Sequence, residues 1–199
     1  MPPKTQTRER VLSAAVKTLA EQGFAASTAR AIAATGGFAP GVIYYHFDDL
    51  EDLRVATMRY TSERRIARYT ERTSGLDSFA ELVATLRELY AEDADAGHIA
   101  AVQEMVAGAT PGSKLAAQTL VEVARWEEVA VAVLGRYVAG TPIESLLPIR
   151  ELATAAVAFY MGIETLSHLD GDRRRPYAVF DAAARTAVLV DTLRNISGS

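Results

Sequence analysis

The sequence contains no cysteine and only three histidines among its 199 residues. Without cysteine there is no disulfide bond, no thiolate metal ligand and no cysteine nucleophile, a composition that suits a reducing compartment. The histidines, His46, His98 and His168, lie far apart in the chain, so none of them has the local spacing of a metal-ligand motif. We therefore expect neither a metal site nor a cofactor.

Long apolar runs are also missing. No stretch approaches the roughly 18 uninterrupted apolar residues that a membrane-spanning helix needs. The segment from Met1 to Arg10 lacks the apolar core of a signal peptide. These absences predict a cytoplasmic protein that does not contact a membrane. The apolar fraction of 49%, with 23% charged residues, is typical of a globular chain that buries a core.

The charge is unevenly distributed along the chain. The net charge of -4 by itself disfavours a nucleic-acid partner, but residues 1–47 carry +3 and the remainder carries -7. This asymmetry indicates a basic amino-terminal module attached to an acidic body. The bases of the module are Lys4, Arg8, Arg10, Lys17 and Arg30, and its acids are Glu9 and Glu21.

The spacing of apolar residues and the positions of glycine, proline and helix-capping residues predict an all-α fold. There is no alternating apolar pattern bounded by hairpin turns, so we expect no sheet. We expect a helix-turn-helix domain over residues 1–48 and a larger helical body over 49–199. The predicted helices span about 5–22, 28–35, 40–46, 49–72, 77–92, 98–108, 113–138, 148–169 and 177–195.

The second and third helices form a helix-turn-helix candidate, because Gly36-Gly37 breaks the chain between them. The third helix has no acidic residue, so it can approach a phosphate-lined groove without repulsion. Its last turn offers tyrosine hydroxyls and an imidazole to phosphates, and its first turn is small enough to meet base edges. Thr28 and Arg30, at the start of the second helix, are placed to contact the DNA backbone.

The segment from Thr28 to Phe47 resembles the DNA-binding segment of the TetR family of bacterial transcriptional regulators. The Ile32-Ala33 pair, Gly37, Gly41 and the run Tyr44-Tyr45-His46-Phe47 fall at the family's spacing, and Leu53 fits the start of its fourth helix. The resemblance implies a homodimer that binds a palindromic operator, commonly a repressor released by a small ligand. The implied DNA contacts are Thr28, Arg30, Ala39, Pro40, Gly41, Val42, Tyr44, Tyr45 and His46.

Two positions depart from the family pattern. Leu50 stands where the family commonly has a lysine that meets a phosphate, and Ala39 replaces a common serine that caps the third helix. Losing one phosphate contact weakens the salt-dependent part of the affinity for DNA. We therefore expect lower operator affinity with an unchanged fold.

The helical body is expected to hold the ligand cavity that the resemblance implies. Tyr160, Glu164 and His168 recur at every fourth position and are predicted to share one helix face. They form either a strip that orients a ligand or a hydrogen-bonded, half-exposed face. The apolar run of residues 129–134 predicts an enclosed helix. The candidate ligand contacts are Gln103, Met105, Trp126, Glu127, Tyr160, Met161 and Glu164.

The resemblance implies that the last two helices form the dimer interface. A dimer also suits a palindromic operator, which is read by two copies of a recognition helix. Small side chains on the penultimate helix permit close helix packing, although packing within one chain uses the same residues. The candidate interface residues are Ala155, Phe159, Gly162, Phe180, Ala184 and Val188.

Two alternatives belong to other classes of protein. An enzyme is disfavoured because the sequence lacks a Gly-x-Ser-x-Gly elbow, a His-Glu-x-x-His pair and a correctly spaced phosphate-binding loop. A helical module that binds a protein partner, with weak or lost operator binding, stays open as the alternative, and Leu50 is its only support.

Overall fold

The computed structural model describes residues 4–139 and 146–197. Within those ranges the chain contains helices and connecting turns and no strand, which confirms the all-α prediction. The predicted helix stop at residues 140–142 lies outside them. The helices are α1 (Lys4–Ala26), α2 (Ala29–Gly36), α3 (Gly41–His46), α4 (Leu50–Thr73), α5 (Phe79–Asp95), α6 (His98–Gly108), α7 (Lys114–Val138), α8 (Ile149–Asp170) and α9 (Arg174–Ser197).

Local signals set most helix ends. Thr28 caps α2 by accepting a hydrogen bond of 3.2 Å from the backbone amide of Ala31. Gly37 ends the same helix in the left-handed region, with φ 64°, a conformation that glycine adopts at little cost. Asp49 caps α4, since its carboxylate accepts a bond of 2.7 Å from the amide of Asp52. These three residues confirm the helix ends predicted at their positions.

Helix α1 spans Lys4–Ala26, but its backbone leaves the helical conformation at Gly23. The backbone there has φ 81° and ψ 171°, which is outside helical space. The first helix is predicted to end at about residue 22, and the non-helical backbone at Gly23 confirms that end. A short turn of helix follows the kink. The change of direction at Gly23 sets the course of the chain into α2.

The chain divides into two compact units. One comprises Met1–Arg65 with Asp93–Glu122, and the other comprises Ile66–Glu92 with Val123–Ser199. The predicted domain boundary between residues 48 and 49 stays a prediction. Across residues 4–139 and 146–197, none of the helices combines the length and the apolar character needed to cross a bilayer.

The first unit contains two apolar clusters. One joins α1, α2 and α3 with the start of α4, and it includes Leu12, Ile32, Ile43, Phe47 and Leu53. The other packs α1 against α4, α6 and the start of α7. A buried ion pair of 2.6 Å between Arg65 and Asp93 also lies in this unit.

The second unit is held together by ring contacts and helix-end hydrogen bonds. Trp126 of α7 meets the Tyr69 ring of α4 edge-to-face, with ring centroids 5.1 Å apart. The carboxylate of Asp191 on α9 accepts hydrogen bonds from the first two amides of α5, those of Phe79 and Ala80. Two of the α5 amides that have no partner within the helix are thereby satisfied.

The prediction that the apolar run in α7 is enclosed is wrong for this chain. Ala132 is exposed, and the other residues of 129–134 are half-buried. The reason is that the run is apolar on every side, whereas neighbouring helices within one chain cover only part of its circumference. Tyr137, near the end of α7, is buried.

Candidate nucleic-acid interface

Helix α3 divides its residues between a buried and an exposed face. Ile43 and Phe47, one turn apart, are buried in the cluster shared with α1 and α2. Tyr44 and Tyr45 project to the other side and are 58% and 69% exposed. Large aromatic side chains that remain this exposed, on a helix firmly anchored by their neighbours, are available to a partner.

The first turn of α3 is small and accessible. Ala39, Pro40 and Gly41 are exposed, and a Cβ added at Gly41 meets nothing within 4 Å. Val42 is half-buried and packs on the cluster that holds Ile43, so only part of its side chain is accessible. No side chain caps this helix, as expected from the alanine at position 39.

His46 is the last of the predicted DNA contacts on α3, and its side chain is half-buried. Its ring lies 5.0 Å from the Tyr45 ring in an edge-to-face arrangement and 6.3 Å from the Phe47 ring. These contacts restrict the imidazole, which therefore has fewer orientations than a free surface histidine. Its predicted role as a phosphate contact stays a prediction.

At the start of α2, Thr28 and Arg30 are both exposed. The Thr28 hydroxyl already accepts the capping bond from Ala31. It retains a proton to donate, since a hydroxyl both donates and accepts. Helix α2 contains no acidic side chain, so the exposed surfaces of α2 and α3 carry no negative charge of their own.

Arg10 supports the turn between these helices, a role that the sequence pattern did not reveal. Its guanidinium donates to the carbonyl of Gly36 over 2.7 and 3.0 Å and to that of Gly37 over 3.0 Å. It also lies 5.8 Å from the centre of the Phe38 ring. Arg10 thus holds carbonyls at the end of α2 that have no partner within the helix.

Two further arginines have structural contacts in this unit. Arg8 lies over the Phe47 ring at 5.1 Å. Arg54 lies over the Phe24 ring at 4.0 Å and donates a bond of 3.2 Å to the Phe24 carbonyl. Burial lowers the pKa of Arg54, and the nearby Glu51 carboxylate opposes that shift. Part of the basic charge counted in the sequence therefore supports the fold.

Leu50 occupies a different environment from a phosphate-binding lysine. Its half-buried side chain packs against the cluster that includes Ile43 and Phe47. The two preceding residues, Asp48 and Asp49, are exposed acids. The corner after α3 is therefore apolar and acidic, which disfavours a close approach to the DNA backbone there.

The predicted ligand residues fall in both units. In the first unit, Met105 is fully buried in the cluster that includes Leu19 and Met58, and Gln103 is also buried. In the second unit, Trp126 makes its edge-to-face contact with Tyr69, while Glu127 and Met161 are half-buried.

Burial varies along the face of α8 that carries the predicted residues. Glu164 is buried and Tyr160 half-buried, whereas His168 is exposed. Both interpretations of these residues, a strip that orients a ligand and a half-exposed, hydrogen-bonded face, stay predictions. Ser167, seven positions after Tyr160, is buried as well. On a helix with about 100° per residue, seven positions bring a side chain nearly back to the starting face, whereas eight carry it about 80° away.

Tyr90 of α5 is a buried residue of this region that the sequence analysis missed. Its ring lies 5.5 Å from Tyr177 and 5.5 Å from Phe180, both on α9. Burial raises the pKa of Tyr90 far above its ordinary value. The nearby Glu164 carboxylate and Tyr160 raise it further, while Arg173 lowers it. Tyr90 stays protonated under ordinary conditions and is a hydrogen-bond donor.

Of the predicted dimer residues, most lie on an exposed surface. Ala155, Phe159 and Gly162 on α8, together with Ala184 and Val188 on α9, are exposed. Phe180 packs instead on Tyr90 of its own chain. Six exposed positions of α8 with apolar or no side chains recur every three or four residues and form one stripe. They are Leu152, Ala155, Phe159, Gly162, Leu166 and Leu169.

In comparison with known proteins, the amino-terminal region matches a family model. Residues 11–57 match the sequence profile described as bacterial regulatory proteins, tetR family. The chain is 32% identical over 83 residues to the HTH-type transcriptional regulator UidR of Escherichia coli K12, which covers 42% of each protein. It is 37% identical over 98 residues to the HTH-type transcriptional repressor KstR2 of Rhodococcus jostii, which covers 49% of this chain and 48% of that protein. These matches therefore span less than half of the curated relatives.

A solved structure extends the likeness to the whole fold. The transcriptional regulator FadR from Bacillus subtilis, in complex with stearoyl-CoA, superposes with a TM-score of 0.74. The superposition covers 90% of this chain and 97% of that one, at 18% sequence identity. At this identity the likeness concerns the arrangement of helices.

Proposed function

We propose that this chain, whose residues 11–57 form a domain of the TetR family of bacterial regulatory proteins, is a transcriptional regulator that binds a DNA operator. The observation that carries the proposal is the division of α3. Ile43 and Phe47 fix the helix to its domain, and Tyr44 and Tyr45 stand exposed beside a small, acid-free first turn. In this reading the protein is cytoplasmic and acts by binding rather than by catalysis, as the names of its relatives also suggest.

The proposed contacts divide into two kinds. The tyrosine hydroxyls, His46, Thr28 and Arg30 meet phosphates and fix the orientation of α3. The small turn from Ala39 to Val42 approaches base edges, where sequence is read. Residues 1–48 then act as the DNA-binding domain, and residues 49–199 serve dimerisation and effector binding.

The proposed active form is a homodimer joined through the exposed stripe on α8 and its neighbours Ala184 and Val188. Phe159 is 59% exposed and lies at the centre of the stripe. A second copy would cover this stripe isologously, since each subunit offers the same surface. Two copies of α3 would then read the two halves of a palindrome.

The proposed regulation is release by a small-molecule effector. The superposed FadR is described in complex with stearoyl-CoA, so a chain of this fold accommodates a small molecule. An effector lowers operator affinity only to the extent that it binds the released state more tightly.

The first experiment is an electrophoretic mobility-shift titration, over a range of salt concentrations, with DNA that flanks the protein's own gene. A complex that survives competitor DNA at one palindrome supports the proposal. Tyr44→Ala is expected to weaken it while Tyr44→Phe, which removes only the hydroxyl, has the smaller effect. Weak binding that vanishes with salt and shows no preferred site contradicts the proposal and favours the partner-binding alternative.

The dimer has its own test. Phe159→Glu places a charge at the centre of the stripe and is expected to shift the molar mass measured by light scattering from dimer to monomer. Glu151→Gln, an exposed change on the same helix, is the control. A Phe159→Glu variant that remains dimeric contradicts the proposed interface.

A further inference from the structure

The helix-turn-helix region is held at both of its ends by the first two turns of α4. Leu53 is buried in the cluster that contains Ile43 and Phe47, so α4 fixes the chain where it leaves α3. Arg54, the next residue, instead contacts the segment before α2. This segment, the entry link of residues 24–28, joins the kink of α1 to α2. One short stretch of α4 therefore fixes both the entry to the region and the exit from it.

The entry link accepts hydrogen bonds from Arg54. The guanidinium donates to the Phe24 carbonyl over 3.2 Å, and over a longer 3.5 Å to the carbonyl and the hydroxyl of Ser27. The Ser27 hydroxyl itself donates a bond of 2.8 Å to the same Phe24 carbonyl. Arg54 therefore holds both ends of one four-residue turn, although it lies about thirty residues further along the chain.

Phe24 is also fixed through its ring and its amide. The Arg54 guanidinium lies 4.0 Å from the centre of the ring, a distance at which the negative face of an aromatic ring attracts a cation. Helix α6 approaches the same ring so closely at Gly108 that an added Cβ would lie 2.4 Å from it. The Phe24 amide donates to Glu104 of α6. The first residue of the entry link thus has a single, well-defined position.

Stability alone does not explain an arginine at position 54. The side chain is half-buried, and its Nε is inaccessible to solvent and has no hydrogen-bond partner among the described residues. Burial lowers the pKa of Arg54, since the charged form loses hydration, and the Glu51 carboxylate opposes that shift. An apolar side chain of similar length would pack on Phe24 without this cost. What the guanidinium adds is direction, because its planar fork orients two carbonyls and one ring together.

The direction of the entry link affects the surface that faces DNA. Thr28 directly follows Ser27 and caps α2 by accepting the bond from Ala31. Ile32 of α2 and Ile43 of α3 are buried in the same apolar cluster, so a rotation of the entry link carries both helices with it. Phosphate contacts fix the register of a protein on the duplex, and the base contacts depend on that register.

We propose that Arg54 is a positioning residue for operator binding, which acts through Phe24 and Ser27 and does not touch the DNA. The inference rests on the proposed regulatory function and adds to it the group that sets the direction of the helix-turn-helix region. The expected consequence of losing this group is weaker discrimination between DNA sequences with an unchanged number of phosphate contacts.

The test compares mobility-shift titrations of the full chain on its operator and on a scrambled duplex of equal length, over a range of salt concentrations. Arg54→Met keeps an apolar contact with the Phe24 ring but removes every donor. We expect its operator affinity to fall about tenfold or more, with the salt slope and the affinity for the scrambled duplex unchanged. The control is Arg59→Met, which removes an exposed arginine from the same helix and is expected to change none of the three.

Three results contradict this expectation. A folded Arg54→Met variant with the operator affinity of the wild type overturns the proposal. A salt slope shallower by about one counterion overturns it as well, because that result identifies Arg54 as a phosphate contact. An equal loss of affinity on both duplexes also overturns it, since a positioning residue acts on the reading of bases.

Arg54→Lys provides a second, milder variant if Arg54→Met does not fold. Lysine keeps the positive charge and would keep a phosphate contact, but it lacks the planar fork that stacks and donates in two directions. We expect Arg54→Lys to lower operator affinity about threefold or more, through the hydrogen bonds that it cannot form. Full operator affinity of this variant overturns the proposal.

Amide hydrogen exchange, followed by mass spectrometry, measures the hold on the entry link without DNA. We expect the peptide that covers residues 24–31 to exchange about tenfold faster in Arg54→Met than in the wild type, since fewer bonds oppose its local opening. Arg59→Met is expected to match the wild type. Unchanged exchange in Arg54→Met overturns the proposal.

The two proposals fail in different ways. Specific operator binding by the wild type together with full binding by Arg54→Met refutes the positioning role and leaves the regulator intact. Absence of specific binding by the wild type refutes the regulator, and the exchange measurement then still decides whether Arg54 holds the entry link.

Discussion

The backbone amide of Phe24 donates a hydrogen bond of 2.7 Å to the side chain of Glu104, which lies 80 residues further along the chain. Phe24 directly follows the kink at Gly23, and Glu104 belongs to α6. Because α1 is broken at Gly23, the Phe24 amide has no acceptor within the helix, and the Glu104 side chain supplies one. This bond from α6 holds the end of α1 in place. The position of α6 is thereby tied to the segment that leads into α2.

The first prediction concerns this bond. Glu104→Ala leaves the part-buried amide of Phe24 without its partner and is expected to lower the free energy of unfolding by about 1–3 kcal/mol. Chemical denaturation followed by circular dichroism measures the change. Glu9→Ala, at an exposed position of α1, serves as control and is expected to change stability by about 0.5 kcal/mol or less. Equal effects of the two changes would contradict the structural role of Glu104.

The second prediction concerns the close approach of Phe24 to Gly108 at the end of α6. A Cβ added at Gly108 would lie 2.4 Å from the Phe24 ring, so Gly108→Ala is expected to destabilise the chain by about 1–3 kcal/mol. Gly135 in α7 has nothing within 4 Å of the same added atom. Gly135→Ala should therefore raise stability by about 0.5–1 kcal/mol, through better helix propensity. Thermal unfolding measures both, and a stabilising Gly108→Ala would refute the contact.

The third prediction separates two arginines of the proposed DNA-binding region. Arg10 holds the carbonyls of Gly36 and Gly37, and Arg10→Ala is expected to cost about 1–2 kcal/mol of unfolding free energy. Arg30 is exposed, so Arg30→Ala should leave stability within about 0.5 kcal/mol and weaken DNA binding. Denaturation and mobility-shift titrations are run on both variants. The reverse pattern would show that the two roles are exchanged.

The fourth prediction addresses the corner after α3. Leu50→Lys adds a base where the chain has an apolar residue beside two acids, and it should raise DNA affinity and steepen the dependence on salt by about one counterion. Mobility-shift titrations over a range of salt concentrations measure that slope. Arg136→Lys, an exposed position on α7, controls for the presence of a new lysine. An unchanged slope would place position 50 away from the phosphates.

The sequence predicted the helices well because their ends depend on local chemistry. Thr28, Gly37 and Asp49 act through neighbours within four residues, and such signals are visible in the sequence. The all-α class follows from the same local patterns.

Contacts between residues far apart in the sequence could not be predicted from local patterns. The bonds from Arg10 to Gly36 and from Glu104 to Phe24 join residues 26 and 80 positions apart, and no local pattern encodes them. On α8, spacing by fours groups His168 with Tyr160, but eight positions turn a side chain about 80° away, and His168 is exposed. The apolar run in α7 is not enclosed as predicted. An apolar sequence shows that its residues are hydrophobic, but it does not show which helices pack around them.

The contact between Trp126 and Tyr69 gives one of the two units a fluorescence signal of its own. Trp126 is the only tryptophan in the sequence, and its ring is 5.1 Å from Tyr69 in the unit that also contains α8 and α9. Indole emission therefore arises from that unit alone, and a tyrosine at this distance transfers its excitation to the indole. The unit can be followed through its unfolding without any introduced label, separately from the rest of the chain.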